Sequence, residues 1–150
     1  MYTIKKEFMV ETAHILDNSY MEECQRFHGH SAKIVVSIAA MGLNDAGMVI
    51  DFKLLKELFK PLYDTLDHHC LISETKYYHR SGVHQENIND GMVVVPFNPT
   101  AENIAKWLYD SFSDILTKAR VDKKVTGNFY LDYIEYWETK NACVRYDPNY

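Results

Sequence analysis

Apolar residues recur along this chain with two different periods, and the switches between them outline its elements. Residues 4–12 are mixed and rich in strand formers, and residues 33–41 are β-branched enough to form a half-buried strand. A polar loop over 17–25 separates them, and Gly42-Leu43-Asn44-Asp45-Ala46-Gly47 carries turn chemistry after them. The period then changes to three and four. Asp51 is suited to cap a helix whose apolar positions are Leu54, Leu55, Leu58, Phe59, Leu62 and Leu66, with Pro61 expected to kink or interrupt it. Residues 73–98 are polar, with turn signals at Arg80-Ser81-Gly82 and Asn89-Asp90-Gly91, and read as an excursion in which Met92-Val93-Val94-Val95 resumes a strand. Thr100 caps a second helix, where Ile104, Trp107, Leu108, Phe112, Ile115 and Leu116 make one stripe. Alternation over 125–139 and 142–146 predicts paired strands. The order is β, β, α, short β, α, β, β, an α+β pattern without an internal repeat or linker.

At 150 residues, one domain spanning 1–150 is the simplest expectation, since a chain of this length buries roughly 68–70% of its unfolded surface without staples. The formal charge is −5, the reverse of what a phosphate-backbone binder carries, so nucleic acid is excluded as the expected partner. No segment approaches the ~18 apolar residues of a membrane span, and the first residues form no leader, so a soluble cytoplasmic protein is expected. Cys24, Cys70 and Cys143 are odd in number and widely spaced, which predicts reduced thiols.

The histidines change the picture most. His14 lies in an apolar strand-like run, and His28 and His30 flank Gly29. In extended backbone, residues two apart project to the same side, so the pair can converge on one ion with His14 as a third ligand. A catalytic zinc site takes three protein ligands and leaves one position open. Cys24 is close enough in sequence for a loop to bring its sulfur over that pocket, as a base or nucleophile favoured as thiolate near a cation. Alternatively it ligates the metal and closes the site. Asp67-His68 reads by itself as a polar pair at the end of the first helix, and Glu138-Thr139 as a solvated strand end. A buried carboxylate at 138 would instead suit a guanidine-like ring edge, accepting two parallel N–H bonds. His69, His79 and His84 read as ordinary histidines, and Cys70 and Cys143 as structural residues in apolar surroundings.

Taken together, residues 8–14, Cys24-x-x-x-His28-Gly29-His30, Gly47-Met48-Val49-Ile50-Asp51-Phe52, Leu66-Asp67-His68, Pro99-Thr100-Ala101-Glu102-Asn103 and Glu138-Thr139 with Ala142 and Tyr146 resemble the 6-pyruvoyl-tetrahydropterin synthase family. Within it they look most like the bacterial 6-carboxy-tetrahydropterin synthases of queuosine biosynthesis. The resemblance implies a tunnelling fold: an antiparallel four-stranded sheet with two helices on one face, assembled into an oligomeric β-barrel. The implied assembly is a homohexamer, a dimer of trimers, with active sites at subunit interfaces. It also implies Zn2+ on His14, His28 and His30, Cys24 as the proton-abstracting base, Asp67 and His68 as relay partner, and Glu138 as pterin anchor assisted by Thr139.

The implied substrate is dihydroneopterin triphosphate. In the carboxy branch the side chain is cleaved, releasing acetaldehyde and triphosphate; in the pyruvoyl branch all three carbons are kept. Three residues separate Cys24 from the His-Gly-His unit, the spacing of the bacterial carboxy enzymes. A hydroxymethyl-forming subgroup has Glu near that unit, whereas Phe27 precedes it here and Glu22 and Glu23 lie further back. Leu71-Ile72 replaces the usual Leu-Asn, and 73–98 is longer than in compact members. A non-catalytic pterin- or metal-binding relative is the alternative from another class.

Overall fold

Phe8, Val10, Thr12 and His14 are buried along β1 (Tyr2–Ile15), while Met9 and Glu11 between them are exposed. That alternation gives the strand one face for the core and one for its surroundings. β1 runs antiparallel to β2 (His28–Ala40) from Tyr2 opposite Ala40 to His14 opposite His28. The computed structural model describes residues 1–80 and 91–149. The two helices predicted from the three-and-four spacing are α1 (Phe52–Leu66) and α3 (Ala101–Val121), capped as expected by Asp51 and Thr100. They pack on the Phe8 face and on each other: Phe8 lies 4.5 Å from Phe59 between ring centroids, and Phe59 lies 5.2 Å from Phe112. Truncating a ring so enclosed, such as Phe59→Ala, costs about 3–5 kcal/mol in a core of this density.

The sheet departs from the expected four antiparallel strands. Among the described residues it has six, in the order β4 (Met92–Val95), β3 (Cys70–Ser73), β1, β2, β5 (Phe129–Thr139) and β6 (Ala142–Tyr146). The expected four are contiguous within it: β1, β2, β5 (Phe129–Thr139) and β6 (Ala142–Tyr146), paired antiparallel. Beyond β1 lie β3 (Cys70–Ser73), parallel to β1, and β4 (Met92–Val95), parallel to β3. β3 escaped prediction because all four residues are buried, and a short continuous apolar run carries no period that distinguishes it from a helix end. Ser73 then accepts the Lys76 N–H and starts a third helix, α2 (Glu74–Arg80). The flanks of 73–98 therefore extend the sheet; residues 81–90, with their turn signals and His84, lie outside the described residues.

Three smaller differences have local reasons. α1 runs through Pro61 without interruption; the carbonyl that loses its partner there, that of Glu57, belongs to an exposed residue. β5 begins at Phe129 rather than at 125, since Gly127, at φ +111°, turns the chain there. Cys143 is exposed on β6, not enclosed by apolar neighbours as expected, whereas Cys70 is buried. No described helix is long and apolar enough to cross a membrane.

Candidate metal centre and active site

The long β1–β2 pairing brings the three histidines together. His14 stands opposite His28, and Thr12 opposite His30, so all three imidazoles rise from the same side of adjacent strands. His14 Nε2 is 2.8 Å from His28 Nε2 and 3.2 Å from His30 Nε2. Tetrahedral coordination at a zinc–nitrogen distance near 2.0–2.1 Å needs nitrogens roughly 3.3–3.4 Å apart, so the His14–His30 pair is close to that spacing and the His14–His28 pair would open by about half an ångström. It is the one group of three or more metal-ligating side chains among the described residues, and Cys24 is not part of it. That disfavours the closed site with a sulfur ligand.

The rings are oriented from behind. His14 Nδ1 donates to the Pro99 carbonyl and His28 Nδ1 to the Arg26 carbonyl, both at 2.8 Å. A proton held at Nδ1 leaves the Nε2 lone pair facing the centre, the arrangement metal-ligating histidines need. Burial, more than anything else, holds the His14 and His30 imidazoles below their ordinary pKa. Neutral rings are the ligating form. The donor set therefore fits a divalent metal that favours nitrogen ligands. Pro99 and Arg26 act through backbone oxygens, so no side-chain pattern in the sequence marks them.

Glu138 does not end in solvent, as its composition alone suggested. Its Oε1 lies 3.5 Å from His14 Nε2 and 3.7 Å from His30 Nε2, with a quarter of the side chain exposed. The carboxylate thus borders the histidine cluster, and Thr139 follows it beside a groove shared with Ser31, Lys33 and Trp137.

Asp67 and His68 are held differently. Asp67 Oδ1 accepts the Glu11 N–H, Oδ2 accepts from His68 Nδ1, both at 2.9 Å, and the His68 N–H donates to the Glu11 carbonyl at 2.6 Å. The Glu11 N–H keeps the Asp67 carboxyl below its usual range, with His68 assisting. His68 adopts φ +60°, left-handed backbone that a non-glycine residue enters at a cost. Its ring is largely exposed and opens onto a cleft of about 410 Å³ with Glu11, Ala13, Phe27, Gly29 and Ser31. Glu11, Ala13, Gly29 and Ser31 occupy the alternate positions of β1 and β2, pointing away from α1 and α3, although Thr12 and His30 also contribute to the wall. The structure gathers His14, His28, His30 and Glu138 into one cluster and offers His68 from the other side of the same strand pair.

Cys24 sits in a single 3-10 turn, Glu22–Gln25, between the two strands, half-buried. Its carbonyl accepts the Leu16 N–H at 3.2 Å, which closes the loop just after β1.

A family model described as 6-pyruvoyl tetrahydropterin synthase matches residues 3–149. The chain belongs to that family. Among curated family members, 6-carboxy-5,6,7,8-tetrahydropterin synthase of Haemophilus influenzae is 30% identical over 152 residues, covering 97% of this chain and 99% of its own. The enzyme of the same name from Rickettsia typhi is 33% identical over 127 residues, covering 83% and 86%. The family's fold is seen directly in 6-pyruvoyl tetrahydropterin synthase of Caenorhabditis elegans, which superposes with a TM-score of 0.67 at 18% identity, covering 97% of this chain and 94% of its own.

Proposed function

We propose that this protein is a zinc-dependent lyase of the carboxy branch, converting 7,8-dihydroneopterin triphosphate to 6-carboxy-5,6,7,8-tetrahydropterin with release of acetaldehyde and triphosphate, as in queuosine biosynthesis. One observation carries the reading: three imidazole Nε2 atoms converge, each on a paired strand, with the Glu138 carboxylate at their border. The relatives named 6-carboxy-tetrahydropterin synthase support the carboxy branch over the pyruvoyl one.

His14, His28 and His30 would hold the zinc. Zinc there would supply Lewis acidity toward a side-chain hydroxyl of the substrate, making the proton on the neighbouring carbon easier to remove. Cys24 is the base that takes that carbon-bound proton. His68, oriented by Asp67, returns a proton from the other side, and Glu138 anchors the pterin by accepting two parallel N–H bonds from its ring edge, with Thr139 assisting. The supply of His68 from the opposite side of the strand pair suits a site completed by a second copy of the chain. Among the described residues the outer edge of β1 pairs with β3 at Ala13, His14 and Ile15 and is taken at Glu11 by the Asp67–His68 turn, which leaves the stretch before Glu11 available to a neighbouring strand. A cytoplasmic homohexamer built as a dimer of trimers from one such domain per chain is consistent with that edge.

Incubating the zinc-loaded protein with dihydroneopterin triphosphate and identifying products by mass tests the reading. Acetaldehyde with 6-carboxy-tetrahydropterin is the expected result. The intact pyruvoyl side chain would move the protein to the pyruvoyl branch, and unchanged substrate would leave a non-catalytic binding relative.

A further inference from the structure

The loop carrying Cys24 has little apolar burial to hold it. Its 3-10 turn contains no buried residue, and the large side chains on either side, Tyr20, Met21 and Phe27, are all more than half exposed. Yet a base must be held within a fraction of an ångström of its target, because small displacements in a site cost large factors in rate. Within the loop the Leu16 N–H donates to the Cys24 carbonyl and Gln25 Nε2 to the Ser19 carbonyl, while the polar contacts that reach it from distant elements lie at its start.

They converge on Asn98. Its Oδ1 accepts the Asp17 N–H at 2.8 Å and its Nδ2 donates to the Asn18 carbonyl at 3.4 Å, so one amide engages the loop backbone at two adjacent residues. The Asn98 carbonyl in turn accepts from Asn103 Nδ2 at 2.9 Å, fixing it to the first turn of α3. The Asp17 carboxylate is pinned separately by the Ser73 hydroxyl, the same group that caps α2. The very next residue, Pro99, orients His14 through its carbonyl. Asn98 and Pro99 therefore hold both the entrance of the Cys24 loop and one candidate metal ligand from a single rigid point at the head of a long helix.

We propose that Asn98 is a positioning residue: its side-chain amide clamps the backbone at Asp17 and Asn18 and thereby sets where the Cys24 thiol stands relative to the histidine cluster. The assignment rests on the catalytic role given to Cys24 above, but the clamp itself is a claim about the loop and is measurable without turnover.

In zinc-loaded protein, Asn98→Ala removes both hydrogen bonds and leaves the Pro99 carbonyl in place. Zinc content is expected to stay at the wild-type level, alkylation of Cys24 by iodoacetamide, followed by peptide mass, to speed up several-fold, and kcat to fall about 10- to 100-fold with KM little changed. Asn98→Asp retains the acceptor for the Asp17 N–H and should lie between wild type and Asn98→Ala in both readouts; it carries the same comparison if the alanine variant fails to fold. Unchanged Cys24 alkylation, or a loss of activity that merely follows loss of zinc, would overturn the proposal. If the wild-type protein turns over no pterin, the functional reading falls while the alkylation and zinc measurements still decide the clamp.

Discussion

The histidine cluster and the Asp67–His68 turn are both built on β1, and they are built in opposite ways. The cluster uses regular backbone: alternation along two antiparallel strands places three rings on one side, and each ring costs the chain nothing unusual. The turn uses irregular backbone, with His68 left-handed and the pair bracketed by the N–H and carbonyl of a single residue, Glu11. One is complete within the chain as a three-nitrogen donor set. The other presents an exposed ring to a cleft on the far side. Regular structure suits side chains proposed to stay fixed on an ion, whereas the ring proposed as proton donor has to reach outward, and a strained turn at a strand edge does that.

The largest effect expected separates the two directly. His28→Ala removes one of three nitrogens, and bound zinc measured by atomic absorption should drop together with all turnover. His68→Ala should leave zinc unchanged and lower kcat by about 10²–10⁴-fold, the range for removing a general acid or base. Glu138→Gln sharpens the contrast at the border of the cluster. If Glu138 anchors pterin, as proposed, zinc stays and activity is lost; loss of zinc would instead make its carboxylate a ligand.

This difference also governs what could be read from the sequence. The cluster was legible because His-x-His in extended backbone and a further His in an apolar run are local patterns, and β1 and β2 were both apparent from their strand-forming and β-branched residues. The two long helices were legible for the same reason, down to their capping residues Asp51 and Thr100. His68 looked like the frayed end of a helix, since nothing in its residue type announces φ +60°, and its bracket comes from Glu11, far away in sequence. Cys24 could be nominated but not positioned, because its loop is fixed by Asn98 and Ser73 rather than by any pattern of its own. β3 was hidden because its four residues are all buried and carry no period, whereas β4 was read at its observed bounds, Met92–Val95.

If the two regions serve different copies of the chain, defects in them should complement. Subunits carrying Cys24→Ala and subunits carrying His68→Ala, each inactive alone, are mixed by co-refolding in equal amounts. Random pairing would make about a quarter of shared sites intact, and activity should return toward that fraction of wild type. No recovery, with zinc bound throughout, would mean that both groups act within one chain and that the cleft of His68 has another purpose.

The smallest effect is on stability and bears on whether the turn is strained for function. At φ +60° a side chain costs about 1 kcal/mol that glycine does not pay, while glycine loses about 0.5–1 kcal/mol more chain entropy on folding. His68→Gly keeps the backbone bond from residue 68 to the Glu11 carbonyl. The variant should therefore be as stable as wild type, or more stable by a few tenths of a kcal/mol, in chemical denaturation, while kcat falls as far as in His68→Ala. Comparison with His68→Ala isolates the backbone, because both variants lack the ring and only one relieves the left-handed conformation. A glycine variant less stable than the alanine one would show that the turn is held without strain, and the contrast with the histidine cluster would then lie in the ring's exposure alone.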